Sequence, residues 1–150
     1  MKKILLIVSL VVFQMDAQKI SMREYLLLHG QPQGPIWDLS KKNIANLDGL
    51  QDIQDPLRIR VLNLANNNLT QVPFNIFEKF VNLEKLDLSN NEIAGLPAGI
   101  FDNLVKLKEL NVANNKFNTV PKHTFDNLIN LEVLNGITKS QPNFLKQYTI

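Results

Sequence analysis

The chain of 150 residues contains no cysteine. That excludes disulfides, thiolate metal sites, cysteine nucleophiles and a lipoprotein anchor. Histidine is almost as scarce: His29 and His123 stand far apart, and no acidic residue recurs with metal-ligand spacing. Neither a metal site nor a histidine general base is supported. A nucleophile elbow, a glycine-rich phosphate loop and an HExxH pair are all missing. With no catalytic constellation, the chain reads as non-enzymatic and without a cofactor. Charge of one sign is lacking too, since 16 basic residues face 14 acidic ones for a net +2. Loss of residues 1–17 would remove Lys2, Lys3 and Asp16, leaving 14 against 13, or +1. Phosphate binding needs a clustered basic face, so nucleic acid is not an expected partner. Nor is there a long apolar run. The stretch at 4–13 is ten residues, too short to cross ~30 Å of hydrocarbon.

What is present begins with a globular balance, 45% hydrophobic and 20% charged, enough for one domain with a core. Residues 1–17 have the form of a secretory signal: Lys2 and Lys3, the apolar stretch, then Met15-Asp16-Ala17 as a cleavage site. The alternative, a membrane anchor, fails on length, so stable membrane insertion is not expected. Cleavage near Ala17 would give a secreted or periplasmic protein.

The middle of the chain repeats itself. Segments starting at Ile59, Leu83 and Leu107 are 24-residue copies, and a fourth begins at Leu131. Ile59, Leu62, Leu64, Asn67, Leu69, Val72, Pro73 and Phe77 match Leu83, Leu86, Leu88, Asn91, Ile93, Leu96, Pro97 and Phe101. These in turn match Leu107, Leu110, Val112, Asn115, Phe117, Val120, Pro121 and Phe125. A fixed period of this length implies a stack of units that bury one another's apolar sides. Within each unit the fourth and sixth positions alternate with polar residues, the period of a half-buried strand. Leu62 and Leu64 point inward and Asn63 outward. Proline at 73, 97 and 121 holds the chain extended and keeps it from turning helical.

The pattern LxxLxLxxNxLxxLPxxxF resembles the leucine-rich repeat family in its 24-residue extracellular form. The resemblance covers residues 36–137. It implies an α/β solenoid: a right-handed curved stack with a parallel sheet on its concave face and an irregular or 3-10 convex side. It also implies that Asn67, Asn91 and Asn115 form a ladder serving the backbone of the turning loops. Phe77, Phe101 and Phe125 would stack as a spine on the convex side. Cysteine-capped ends are usual in animal members of the family, so their absence here, with the short signal, suggests a bacterial source.

The ends depart from the period. Residues 18–35 carry Ser21-Met22-Arg23-Glu24, a capping-box pattern, and a stop at Gly30. These predict a helix over 22–29 that seals the first edge of the sheet. A ligand-binding arm is the alternative. Residues 36–58 form a degenerate repeat with Trp37, Leu39, Ile44 and Leu47 at core positions and Lys42 at the ladder position. Trp37 reads as core rather than as an exposed anchor. Full repeats then run over 59–82, 83–106 and 107–130. In the partial one at 131–137, Gly136 replaces the sixth-position leucine, and beyond it Lys139 replaces the asparagine. Residues 138–150, with Phe144, Leu145 and Tyr148, are read as covering the last edge; a sticky tail for a partner chain is the alternative. Asn68-Leu69-Thr70 is a glycosylation sequon that matters only in a eukaryotic secretory pathway.

The resemblance directs attention to the concave face. Its outward columns are Arg60, Glu84, Lys108, Glu132; Val61, Lys85, Glu109, Val133; Asn63, Asp87, Asn111, Asn135, preceded by Asp38; and Ala65, Ser89, Ala113. Neighbours ~4.8 Å apart can pair across strands. The columns are therefore either a self-satisfied charge ladder or a recognition surface centred on Lys85, Asp87, Glu109 and Asn111. Five such strands offer about 400 Å², half the ~800 Å² per partner of a stable interface. The expected function is weak or peptide-scale protein binding by a monomer. A structural or envelope-associated protein that self-associates is the alternative.

Overall fold

The computed structural model describes residues 18–137. The signal segment and the tail bearing Phe144, Leu145 and Tyr148 lie outside the described residues, as does Lys139.

Every repeat contributes one three-residue strand to the large sheet. β2 (Ile36–Asp38), β4 (Val61–Asn63), β5 (Lys85–Asp87), β6 (Glu109–Asn111) and β7 (Val133–Asn135) form one parallel sheet in that order. A smaller sheet pairs β1 (Ile20–Ser21) with β3 (Ile44–Asn46). In the large sheet the register is unbroken: Trp37, Leu62, Leu86, Leu110 and Leu134 lie side by side. The strands are short because the alternation covers only two inward positions, as at Leu62 and Leu64, before the chain turns. Behind them Leu64, Leu88, Leu69, Ile93, Ile59, Leu83 and Leu107 fill one continuous core. Trp37, only 4% exposed, belongs to this core, as its place in the leucine column requires.

The strands begin on a shared acceptor. The amides of Arg60 and Val61 both donate to the Pro35 carbonyl, those of Glu84 and Lys85 to Arg60, and those of Lys108 and Glu109 to Glu84. After β2, β4, β5 and β6 the chain turns through a left-handed residue: Lys41, Asn66, Asn90 and Asn114, with φ of 57, 56, 54 and 56°. Asparagine adopts that conformation more readily than most residues. The return path is held by bonds from residue i+3 back to i, as in Phe80 to Phe77 and Leu83 to Phe80. In the first repeat this path contains two 3-10 turns, Leu50–Asp52 and Pro56–Arg58. Phe77, Phe101 and Phe125 stack along it, with centroids 6.3 and 6.0 Å apart and ring planes within 17°.

α1 (Met22–His29) has both halves of its capping box. The Ser21 hydroxyl accepts from the Glu24 amide, and the Glu24 carboxylate accepts from the Ser21 amide at 2.7 Å. Met22 is fully buried, and Tyr25 and Leu26 pack against the core. The helix sits on β1 and β3, and Arg23 reaches Asp48 and Asp52 at 3.4 and 2.7 Å. It therefore closes the first repeat on its return side. β2 remains the outermost strand of the large sheet among the described residues. β1 pairs with β3, in the stretch after β2, and not with β2 itself.

Candidate functional site on the solvent face of the sheet

The side chains on the outer face come from positions that the inward leucines leave over. Because two successive amides share one carbonyl at each strand start, two adjacent columns face solvent together.

Both charged columns pair internally. Arg60 meets Glu84 at 2.9 Å, and Lys108 meets the other oxygen of Glu84 at 3.3 Å. In the next column Lys85 meets Glu109 at 2.6 Å. Hydrogen bonds from Lys108 and then Arg60 hold the Glu84 carboxyl below the ordinary glutamate value. The five side chains are one-third to one-half exposed. Such pairs contribute at most about 1 kcal/mol each, so a partner can exchange them for its own charges at little cost.

The third column has a different role from the one its polarity suggested. Asn63 accepts from the Ala65 amide at 3.0 Å, Asp87 from Ser89 at 2.8 Å and Asn111 from Ala113 at 3.2 Å. Asp38 does the same for Ser40 at 3.1 Å, and the Ser40 hydroxyl, then this amide, hold its carboxyl below the ordinary aspartate value. Each side chain closes a turn over its own backbone. Asn111 also donates to Asp87 across the strands at 3.1 Å. The recurring Asx-x-Ser/Ala triplet was the available signal, since side chains of this type bond two residues onward. The face holds a shallow depression of about 240 Å³, bordered by Asn63, Lys85, Asp87, Glu109, Asn111 and Asn135.

The asparagines at 67, 91 and 115 lie on the far side of the strand ends. Asn67 Oδ1 accepts from the amides of Lys42 and Ile44, and its Nδ2 donates to the carbonyls of Leu39 and Leu64. Asn91 bonds the Leu69 amide and the Leu64 and Leu88 carbonyls; Asn115 bonds the Ile93 amide and the Leu88 and Val112 carbonyls. Each reaches back to the repeat before it. The first repeat has no predecessor to serve, which is why Lys42 is tolerated there.

His29 and His123 stand on different elements, and His123 lies 2.6 Å from Asp126 on the return path. Among the described residues no group of three or more His, Asp or Glu is placed to hold a metal ion, and no helix is long and apolar enough to cross a membrane.

Residues 57–117 match the family model described as leucine rich repeat. These are leucine-rich repeats. The matched span holds β4, β5 and β6, and β2 and β7 carry the same register on either side. Leucine-rich repeats generally mediate protein–protein binding and are typically non-enzymatic. A comparison with curated proteins finds no match for the chain.

Proposed function

We propose that the chain is an exported, monomeric leucine-rich repeat module, without enzymatic activity, that binds a peptide or protein segment across the solvent face of its sheet. In this reading the stack curves right-handedly and that face is its concave side. One observation carries it: Arg60, Glu84, Lys85, Lys108 and Glu109 form a single ribbon of exposed, weakly held charge across three strands. A partner of alternating charge can replace the internal pairs one for one. The small area limits the interaction to peptide scale.

Arg60→Glu combined with Lys85→Glu tests the reading, because neither side chain supports a turn. Asp87→Lys is less suitable, since it also removes the acceptor for the Ser89 amide. Protein recovered from the producing organism's medium or periplasm should begin at Gln18. Proteins it retains from extracts of its surroundings should be lost by the double variant at unchanged melting temperature. Retention of the same proteins by a folded double variant overturns the sheet-face reading. The competing reading, self-association, draws on β7, whose outer edge has no strand partner among the described residues. Light scattering that shows mass rising with concentration would favour it.

A further inference from the structure

The loop that follows α1 and the return path of the first repeat border a polar pocket of about 470 Å³. That volume falls within the ~300–1,000 Å³ range of small-ligand sites. Gln31 and Gln33 line it from the loop, Gln54, Asp55 and Arg58 from the return path, and Trp37 from the core. The two sides are joined, because the Gln54 backbone amide donates to Gln31 Oε1 at 3.3 Å. Gln33 is held in turn by donating its Nε2 to the Gln31 carbonyl at 3.0 Å.

The indole N–H of Trp37 is the group that core packing does not explain. Its side chain occupies the column that holds leucine in the next four strands. Filling the core asks for nothing polar there. Trp37 is only 4% exposed, and a buried indole N–H ordinarily finds an acceptor. This one has no hydrogen-bond partner among the described residues. No sealed side-chain nitrogen or oxygen among those residues lacks a partner, so the Trp37 nitrogen keeps a narrow opening to solvent. The pocket that Trp37 lines supplies that opening.

The groups around it also keep hydrogen-bonding capacity. The Gln54 side-chain amide bonds none of the described residues, and Gln31 engages its oxygen but not its Nε2. Arg58 approaches Asp55 at 3.6 Å, too long for a hydrogen bond. The pocket therefore offers donors from Trp37, Gln31 and Arg58, acceptors from Asp55, and both from Gln54. Its one positive and one negative charge cancel.

We propose that this pocket binds a neutral saccharide. A hydroxyl donates and accepts at once, so neighbouring ring hydroxyls match a wall that mixes the two roles. An anion only accepts, and Asp55 would repel it. An ammonium only donates, and it would meet Arg58 and the Trp37 N–H. An apolar ligand would cover Trp37 and Gln54 without satisfying them, which is costly. In the bound state the Trp37 N–H donates to a hydroxyl oxygen at the floor of the pocket.

Trp37 is the only tryptophan in the chain, so its emission reports at this floor. The full chain is exposed to an array of short neutral oligosaccharides and their uronic-acid counterparts, and each sugar that holds it is then titrated in solution. A neutral sugar should shift the emission saturably, with a dissociation constant on the order of 0.1–1 mM. Gln54→Ala with Arg58→Ala should weaken binding at least tenfold. Both side chains are exposed, and the Gln54 backbone amide that joins the two sides is retained. Trp37→Phe, followed by calorimetry, removes the N–H and should weaken binding as well. An array on which no neutral sugar holds the protein overturns the proposal. So does binding that leaves the emission unmoved, or equal affinity in the folded double alanine variant. Tighter binding of a uronic acid than of its neutral counterpart also overturns it, because the pocket would then read charge.

Discussion

At the scale of single residues, the backbone groups left over by short strands decide which side chains are indispensable. Asn91 satisfies one buried amide and two buried carbonyls, and it is itself buried. Removing one partner of a buried hydrogen bond leaves the other desolvated, at about 1–3 kcal/mol. Asn91→Ala should therefore lower unfolding free energy by about 2–4 kcal/mol in urea denaturation. A loss under about 1 kcal/mol would show that water enters and replaces the amide. The position of this asparagine was legible in the sequence because it recurs at a fixed spacing. The direction of its bonds was not, since spacing alone does not say which neighbour an amide serves. Asn63, Asp87 and Asn111 were harder still. A polar residue facing outward on a strand looks like a surface contact, and only the turn two residues later shows that its oxygen is engaged.

At the scale of the element, the sheet face behaves as a set of coupled cross-strand pairs. Glu84 joins β4 to β6 by accepting from Arg60 on one side and Lys108 on the other. Its folded pKa is depressed from the ordinary 4.5. The sign follows from linkage: a depressed carboxylate stabilises the fold above its unfolded pKa, and that contribution fades as pH falls through the folded value. Melting temperature measured from pH 6 down to pH 3 should show wild type above Glu84→Gln at the upper end, with the two curves converging at the lower end. Parallel curves across the range would mean that the pairs form without stabilising anything. The strands, their register and the alternation of charge along the column were all readable from the 24-residue period. The helix boundaries were readable too, from the capping box and Gly30. Where α1 would sit was not, because pairing of β1 with β3 is a long-range event that no local pattern encodes.

At the scale of the whole molecule, a stack in which each repeat touches only its neighbours need not lose order everywhere at once. Gly136 makes the point. It stands at φ 99°, and a Cβ there would overlap the backbone of Ala113. Gly136→Ala should therefore push the end of β7 away from β6, at about 2–3 kcal/mol of local stability. Hydrogen exchange at the Val112 amide, which donates to the Asn135 carbonyl at 2.9 Å, should accelerate by about tenfold or more. Trp37 is the only tryptophan and sits at the opposite end, so its fluorescence midpoint in urea should shift much less. Equal effects at both ends would mean that the five strands melt as one unit. In the sequence Gly136 is a lost leucine in a fading pattern. The glycine has a structural cause, since the backbone of Ala113 approaches too closely there for any side chain.

The backward reach of the asparagines has a consequence during synthesis. A loop that leaves the ribosome has unsatisfied amides and carbonyls until the asparagine of the following unit arrives, 24 residues later in the full repeats. At about 5–20 residues per second that is a wait of roughly 1–5 s. Each newborn unit is thus finished by its younger sibling, and a stalled or prematurely ended message leaves its last loop raw.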